Sequence, residues 1–170
     1  DCYGLPLYVY DSAQIKRKYD ELTQTFSSLR VKIRYACKAL SNLNILRLLK
    51  SWGCGLDTVS IQEVEVGLMA GFDPGEIIFT PNCVSFEEIE RAVGKKVMVN
   101  IDDLSILEQF GNRYGSGIPC CIRLNPNILA GGNPRIQTGH IDSKFGISIY
   151  QMRHLVRLVD FYKIDVRGLH

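Results

Sequence analysis

Several features are missing from this 170-residue sequence, and each absence excludes a class of function. Charge of one sign is the first: 20 Lys and Arg against 18 Asp and Glu leave a net charge of +2. Electrostatics therefore gives no argument for nucleic acid or an anionic membrane as the main partner. No apolar run approaches the roughly 20 residues of a membrane span. No C-x-x-C occurs, and Cys2, Cys37, Cys54, Cys83, Cys120 and Cys121 are scattered singly apart from the one adjacent pair. With His140, His154 and His170 also far apart, no metal site is expected, and reduced cysteines in a cytoplasmic protein fit best. No basic segment followed by an apolar one opens the chain, so no signal peptide is expected, and the missing initiator Met fits a piece of something longer.

Nucleotide-binding loops are missing too. Gly53-Cys54-Gly55 comes before a strand-like run rather than between strand and helix, and Ala130-Gly131-Gly132-Asn133 has no helix directly behind it. The segment from Pro126 to Ser143 is long for a connection inside a compact domain, which fits either a functional loop or a surface insertion.

Present instead is a globular composition, 46% hydrophobic and 22% charged, with strand-like and helix-like segments in alternation. Strand-like runs are expected at Leu5–Tyr10, Val31–Ala39, Leu56–Ser60, Glu76–Thr80, Lys96–Ile101, Pro119–Asn125 and Asp165–His170. Helices are expected between them, opened by Asp11, Asn42, capping boxes at Ser60/Glu63 and Ser85/Glu88, Asp102 or Asp103, and Ser148. This alternation predicts βαβ crossovers and a parallel sheet, either a barrel or a doubly wound sheet.

In a parallel barrel the strands' C-terminal ends form the working mouth. Those ends carry Lys38, Asp57 and Ser60, Thr80 and Asn82, Asn100 and Asp102, Arg123 and Asn125, and His170. Caps and turns explain most of them. Lys38, Asp57 and Arg123 differ, because each lies in or at the close of an apolar run where a charge costs desolvation unless paired. Position alone fits a Lys38 that merely snorkels to the strand end. A desolvated lysine can also form an imine with a carbonyl compound. Arg123 fits a partner for Asp57, or a cation facing an anionic ligand.

Tyr35-Ala36-Cys37-Lys38-Ala39, Leu46-x-x-Leu49 and Gly53-x-Gly55-x-Asp57-x-Val59-Ser60 occur in that order. Ala70-Gly71-Phe72, Ile78-Phe79-Thr80, Arg123-Leu124-Asn125-Pro126, Thr138-Gly139, Ser143-Lys144-Phe145-Gly146-Ile147 and Gly168-Leu169-His170 follow. The series resembles the N-terminal barrel of the diaminopimelate decarboxylases, pyridoxal-phosphate enzymes with an alanine-racemase-like barrel. It departs from the family pattern at Leu40, commonly Asn, and at Gln62-Glu63-Val64, usually Gly-Glu-Leu.

The resemblance implies an α/β fold: a parallel (β/α)8 TIM-type barrel, incomplete here with about six of eight strands and without the C-terminal β-domain. Residues 1–10 would supply a strand to that β-domain, and residues 11–170 the partial barrel. It makes Lys38 the lysine that holds pyridoxal 5'-phosphate and Asp57 the acidic residue near it. It makes Arg123 a cofactor-facing arginine, His170 a neighbour of the cofactor, and Lys144 a substrate-binding residue. The implied reaction is decarboxylation of meso-diaminopimelate to L-lysine by a cytoplasmic homodimer with a shared active site, the 170 residues alone being inactive. Related ornithine or arginine decarboxylases share the spacing of Asp57, Ser60 and Glu63. A non-catalytic half-barrel with an interaction role is the alternative of another class.

Overall fold

The computed structural model describes residues 3–128, 138–140 and 143–170. Cys2, Ala130-Gly131-Gly132-Asn133 and most of the long segment before Ser143 lie outside the described residues. The elements run α1 (Ser12–Thr25), β1 (Arg34–Ala36), α2 (Leu43–Ser51), β2 (Gly55–Thr58), α3 (Ile61–Met69), β3 (Ile77–Phe79), α4 (Phe86–Gly94) and β4 (Met98–Ile101). They continue through α5 (Leu104–Tyr114), β5 (Cys120–Ile122), β6 (Leu124–Asn125), β7 (Ile147–Ser148), α6 (Met152–Tyr162) and β8 (Val166–Leu169). Six strands form one sheet in the order β1-β2-β3-β4-β5-β8, with every pairing parallel. Its first and last members, β1 and β8, do not pair with each other, so this is an open portion of a barrel. The expected alternation and six barrel strands are what the structure contains.

Helix starts follow from side-chain chemistry. Asp11, Asn42 and Asp103 each accept two backbone N–H groups at the starts of α1, α2 and α5, so Asp103 rather than Asp102 is the cap. Ser60 accepts from the Glu63 amide at 3.2 Å, while the Glu63 carboxylate accepts from the Val59 amide at 2.9 Å, one residue further back than a capping box requires. The box expected at Ser85 does not form. Its hydroxyl donates instead to Glu87, whose carboxyl that bond holds below the ordinary range.

Strand alternation sorts residues between two faces. Leu56, Ile77, Phe79, Cys120 and Ile122 are buried beneath the helices, while the intervening Asp57, Ile78 and Cys121 are only half-buried. Gly67 shows how closely α3 lies on the sheet: a Cβ there would stand 2.5 Å from Leu56 Cδ2 and 3.2 Å from Ile77 Cδ1. The opposite, concave face is partly open because the sheet does not close. At its β1 edge an apolar groove of roughly 560 Å3 runs between α1, β1 and α2. The buried Arg34 Nε in that region has no hydrogen-bond partner.

Two expected strands differ. No strand forms among residues 5–10, where Leu5, Tyr8 and Val9 are more than 80% exposed; an extended segment needs a neighbour to satisfy its backbone, and none of the described strands lies beside it. The run from Pro119 to Asn125 divides at Arg123: β5 stays in the main sheet, while β6 pairs with β7. Arg123 is the hinge, donating its N–H to Ile101 O at 2.8 Å and accepting from Ile147 N at 2.8 Å.

Below the sheet, Glu76 at the entry to β3 gathers Lys50, Lys32 (3.3 Å) and the Asp73 amide (3.1 Å). The Lys50 hydrogen bond leads in pulling the Glu76 pKa down to about 2, against the opposing effect of burial. A depressed carboxylate contributes stability that is present above its unfolded value of 4.5 and lost as pH falls toward 2. With screening by nearby water, that contribution is about 1–2 kcal/mol. Unfolding titrations from pH 5 to pH 2 are expected to show the parent losing that much more stability than Glu76→Gln; parallel curves would contradict the assignment.

Candidate active site

The polar residues of the strand ends converge on one mouth. β1 pairs with β2 so that Ala36 lies opposite Asp57, and the chain then leaves β1 through a 3-10 turn, Cys37–Ala39. Lys38 therefore rides on this turn rather than on the strand, which ends at Ala36 and not at Ala39 as the residue pattern alone would place it. Its side chain is exposed and makes no hydrogen bond or ion pair among the described residues. Cys37 beside it is fully buried, and burial, with the charges of Glu63 and Asp57, pushes its thiol up to about 11. That thiol is neutral at pH 7, which leaves Lys38 as the nucleophile on this turn.

Asp57, Arg123 and His170 share one electrostatic environment. Burial pulls the Arg123 pKa down, opposed by the charges of Asp102 and then Asp57. His170 lies just past β8, with its N–H bonded to Ile122 O at 2.9 Å and its C=O accepting from Leu124 N at 2.8 Å. Burial and the Arg123 charge lower its pKa below 6.5 and Asp57 opposes them, so the imidazole is neutral at pH 7. Asp57 Oδ1 accepts a 2.6 Å hydrogen bond from Thr80.

Lys144 stands apart from this group. It is exposed on the segment before β7, 5.2 Å from the centre of the Phe145 ring, and its backbone C=O accepts from Asn82 Nδ2 at 2.9 Å. The same Asn82 amide donates to Asp102 at 2.8 Å, and burial raises the Asp102 pKa. Phe145 links this segment to the mouth, because the Arg123 guanidinium lies 4.6 Å from its ring centre, a cation–π distance. Reading Asp102 only as a possible helix cap missed its place beside Asn82 and Arg123. Its position one residue ahead of Asp103 was the available signal, since one helix start needs only one such cap.

Gly146 makes this linkage possible. Its φ is +81°, and a Cβ there would meet Asn125 N and Leu124 C at 2.9 Å and Arg123 O at 3.1 Å, all of them backbone atoms. Gly146→Ala is expected to cost about 1–3 kcal/mol of stability. The same substitution should weaken retention of any ligand held by Arg123. Thermal unfolding reads the first effect, and a midpoint equal to the parent's would contradict the close approach.

The sequence matches the family described as pyridoxal-dependent decarboxylase, pyridoxal binding domain, over residues 12–170. The chain belongs to this family. Among its relatives, it is 36% identical to a diaminopimelate decarboxylase of Methanothermobacter thermautotrophicus, over 100% of this chain and 40% of that protein. It is 37% identical to the Streptomyces coelicolor diaminopimelate decarboxylase, over 99% of this chain and 38% of that protein. The solved structure of Helicobacter pylori diaminopimelate decarboxylase complexed with L-lysine superposes with a TM-score of 0.86 at 32% identity, covering 99% of this chain and 44% of that one. The chain thus spans about 40% of the length of the curated relatives it matches.

The mouth fits the family's cofactor, pyridoxal phosphate. An aldehyde needs a primary amine not committed elsewhere, and Lys38 is one. An anionic, planar aromatic group needs a sheltered cation, and Arg123 is one, remaining charged despite burial.

Proposed function

We propose that this chain is the lysine-bearing barrel portion of a diaminopimelate decarboxylase, which releases CO2 from meso-diaminopimelate and yields L-lysine. The observation that carries the proposal is the uncommitted Lys38 amine on the turn after β1, in a mouth that also presents Asp57, Arg123 and His170. The names of the relatives supply the substrate.

Pyridoxal phosphate, when bound, supplies an electron sink for the bond pair released at a substrate's α-carbon. Lys38 would hold that cofactor through Nζ, and the same amine could carry a proton to the substrate's α-carbon. Arg123 would supply a cation for the cofactor's negative charge, and Asp57, held by Thr80, would offer a fixed acceptor at the same mouth. The neutral His170 adds no positive charge to the rim. Lys144, on its outlying segment, serves the substrate.

The open edges at β1 and β8 suit two further strands that would close the barrel. The bare apolar side chains of residues 5–10 suit pairing with a separate β-domain. A cytoplasmic homodimer sharing its active sites completes the reading.

The test is substrate profiling of the complete protein. CO2 and L-lysine from meso-diaminopimelate are expected. CO2 from ornithine or arginine alone would move the assignment to the sibling decarboxylases, and no release from any of the three would favour a non-catalytic half-barrel.

A further inference from the structure

Three polar side chains on neighbouring strand ends form one hydrogen-bonded line across the mouth. The Thr80 hydroxyl, just after β3, donates to Asp57 Oδ1 at 2.6 Å and accepts from the Asn100 side-chain amide on β4 at 2.8 Å. Thr80 is 5% exposed and Asn100 3%, making them two of the four buried polar residues among those described. Neither caps a helix, since Ser85 and Asp103 hold those positions. Valine at 80 would fill the same space without burying a hydroxyl, so the fold alone does not call for these groups.

The order of donation matters. A hydroxyl has one proton; with an Asn100 N–H directed at its oxygen, that proton is left for Asp57. The backbone fixes the other end, because Thr80 N donates to Thr58 O at 2.7 Å and so continues the β2–β3 ladder. The carboxylate is thereby tied to three strands of a rigid sheet. Such an arrangement holds a working group within the small tolerance that chemistry demands.

We propose that Thr80 and Asn100 are positioning residues that orient the Asp57 carboxylate toward the bound cofactor and substrate. This inference rests on the reading of Asp57 as a working group at a pyridoxal phosphate site. Asn100 sets the direction of the Thr80 proton, and Thr80 sets the rotamer of Asp57. Neither residue touches substrate.

The test uses the complete protein loaded with pyridoxal phosphate and the amino acid it decarboxylates. Thr80→Val is expected to lower kcat by about 10- to 100-fold, the usual range for loss of an orienting partner. KM should stay within about twofold, and the absorbance band of the bound cofactor should shift. Thr80→Ser, which keeps the hydroxyl, should restore both kcat and the band to near parent values. In an Asp57→Asn background, Thr80→Val should cost less than about twofold more, because two members of one relay do not add. Equal losses in Thr80→Val and Thr80→Ser, or full additivity with Asp57→Asn, would overturn the relay while leaving the cofactor assignment standing. A parent protein that retains no pyridoxal phosphate would overturn the underlying reading and the relay with it.

Discussion

Lys38→Ala in the complete protein is expected to abolish covalent retention of pyridoxal phosphate and to lower turnover on the order of 10³-fold or more, the scale lost when a positioned nucleophile is removed. Position explains the size of the effect. Lys38 sits on the 3-10 turn that follows β1, two residues past Ala36, the residue opposite Asp57 in register, and its amine is committed to nothing else among the described residues. No neighbour can replace it: the buried Cys37 thiol is held at about 11, and Lys144 stands on the outlying segment before β7. Borohydride treatment followed by dialysis would leave the cofactor on the parent and remove it from Lys38→Ala. A variant with parental turnover would exclude Lys38 as the cofactor lysine.

The second large effect concerns the scaffold. Phe79 is fully buried on β3, a central strand of the six, and packs among helix-facing side chains. Phe79→Ala deletes a ring from that layer and is expected to cost about 3–5 kcal/mol. A single domain has only about 5–15 kcal/mol in hand. Met69→Ala, at a position 68% exposed, should change stability by less than about 0.5 kcal/mol. Denaturant midpoints for the two variants decide the matter. A Phe79→Ala midpoint as close to the parent as Met69→Ala would contradict the assignment of that face to the core.

Lys38→Ala acts on the turn after β1 and Phe79→Ala in the helix-facing core, and that division shows what could be read from residues alone. Helix starts at Asp11, Asn42 and Ser60 were legible because an N-cap is a local event, complete within four residues. The six barrel strands were legible for a similar reason, since β-branched and apolar runs recur between those starts. The start at Ser85 was legible in the same way, but the absence of its side-chain cap was not, because a hydroxyl turned toward the Glu87 carboxylate leaves no trace in spacing. The split of Pro119–Asn125 at Arg123 was hidden as well, since it depends on Gly146, more than twenty residues further on, approaching the backbone at van der Waals limits.

At the site, Lys38, Asp57, Arg123 and His170 stood out as polar residues at strand ends, and the structure brings them to one mouth. Their connections were not legible. Thr80 and Asn100 look like ordinary turn residues in sequence, and only the register of three parallel strands joins them to Asp57. Asp102 and Asn82 likewise acquire meaning through a hydrogen bond spanning 20 residues.

Attachment of pyridoxal phosphate to this barrel portion through Lys38 can be read chemically. The most direct measurement is peptide mapping by mass spectrometry after the complete protein is loaded with pyridoxal phosphate and reduced with borohydride. One pyridoxyl-phosphate adduct is expected, on Lys38. An adduct on another lysine, or none in a protein that decarboxylates its substrate, would contradict it.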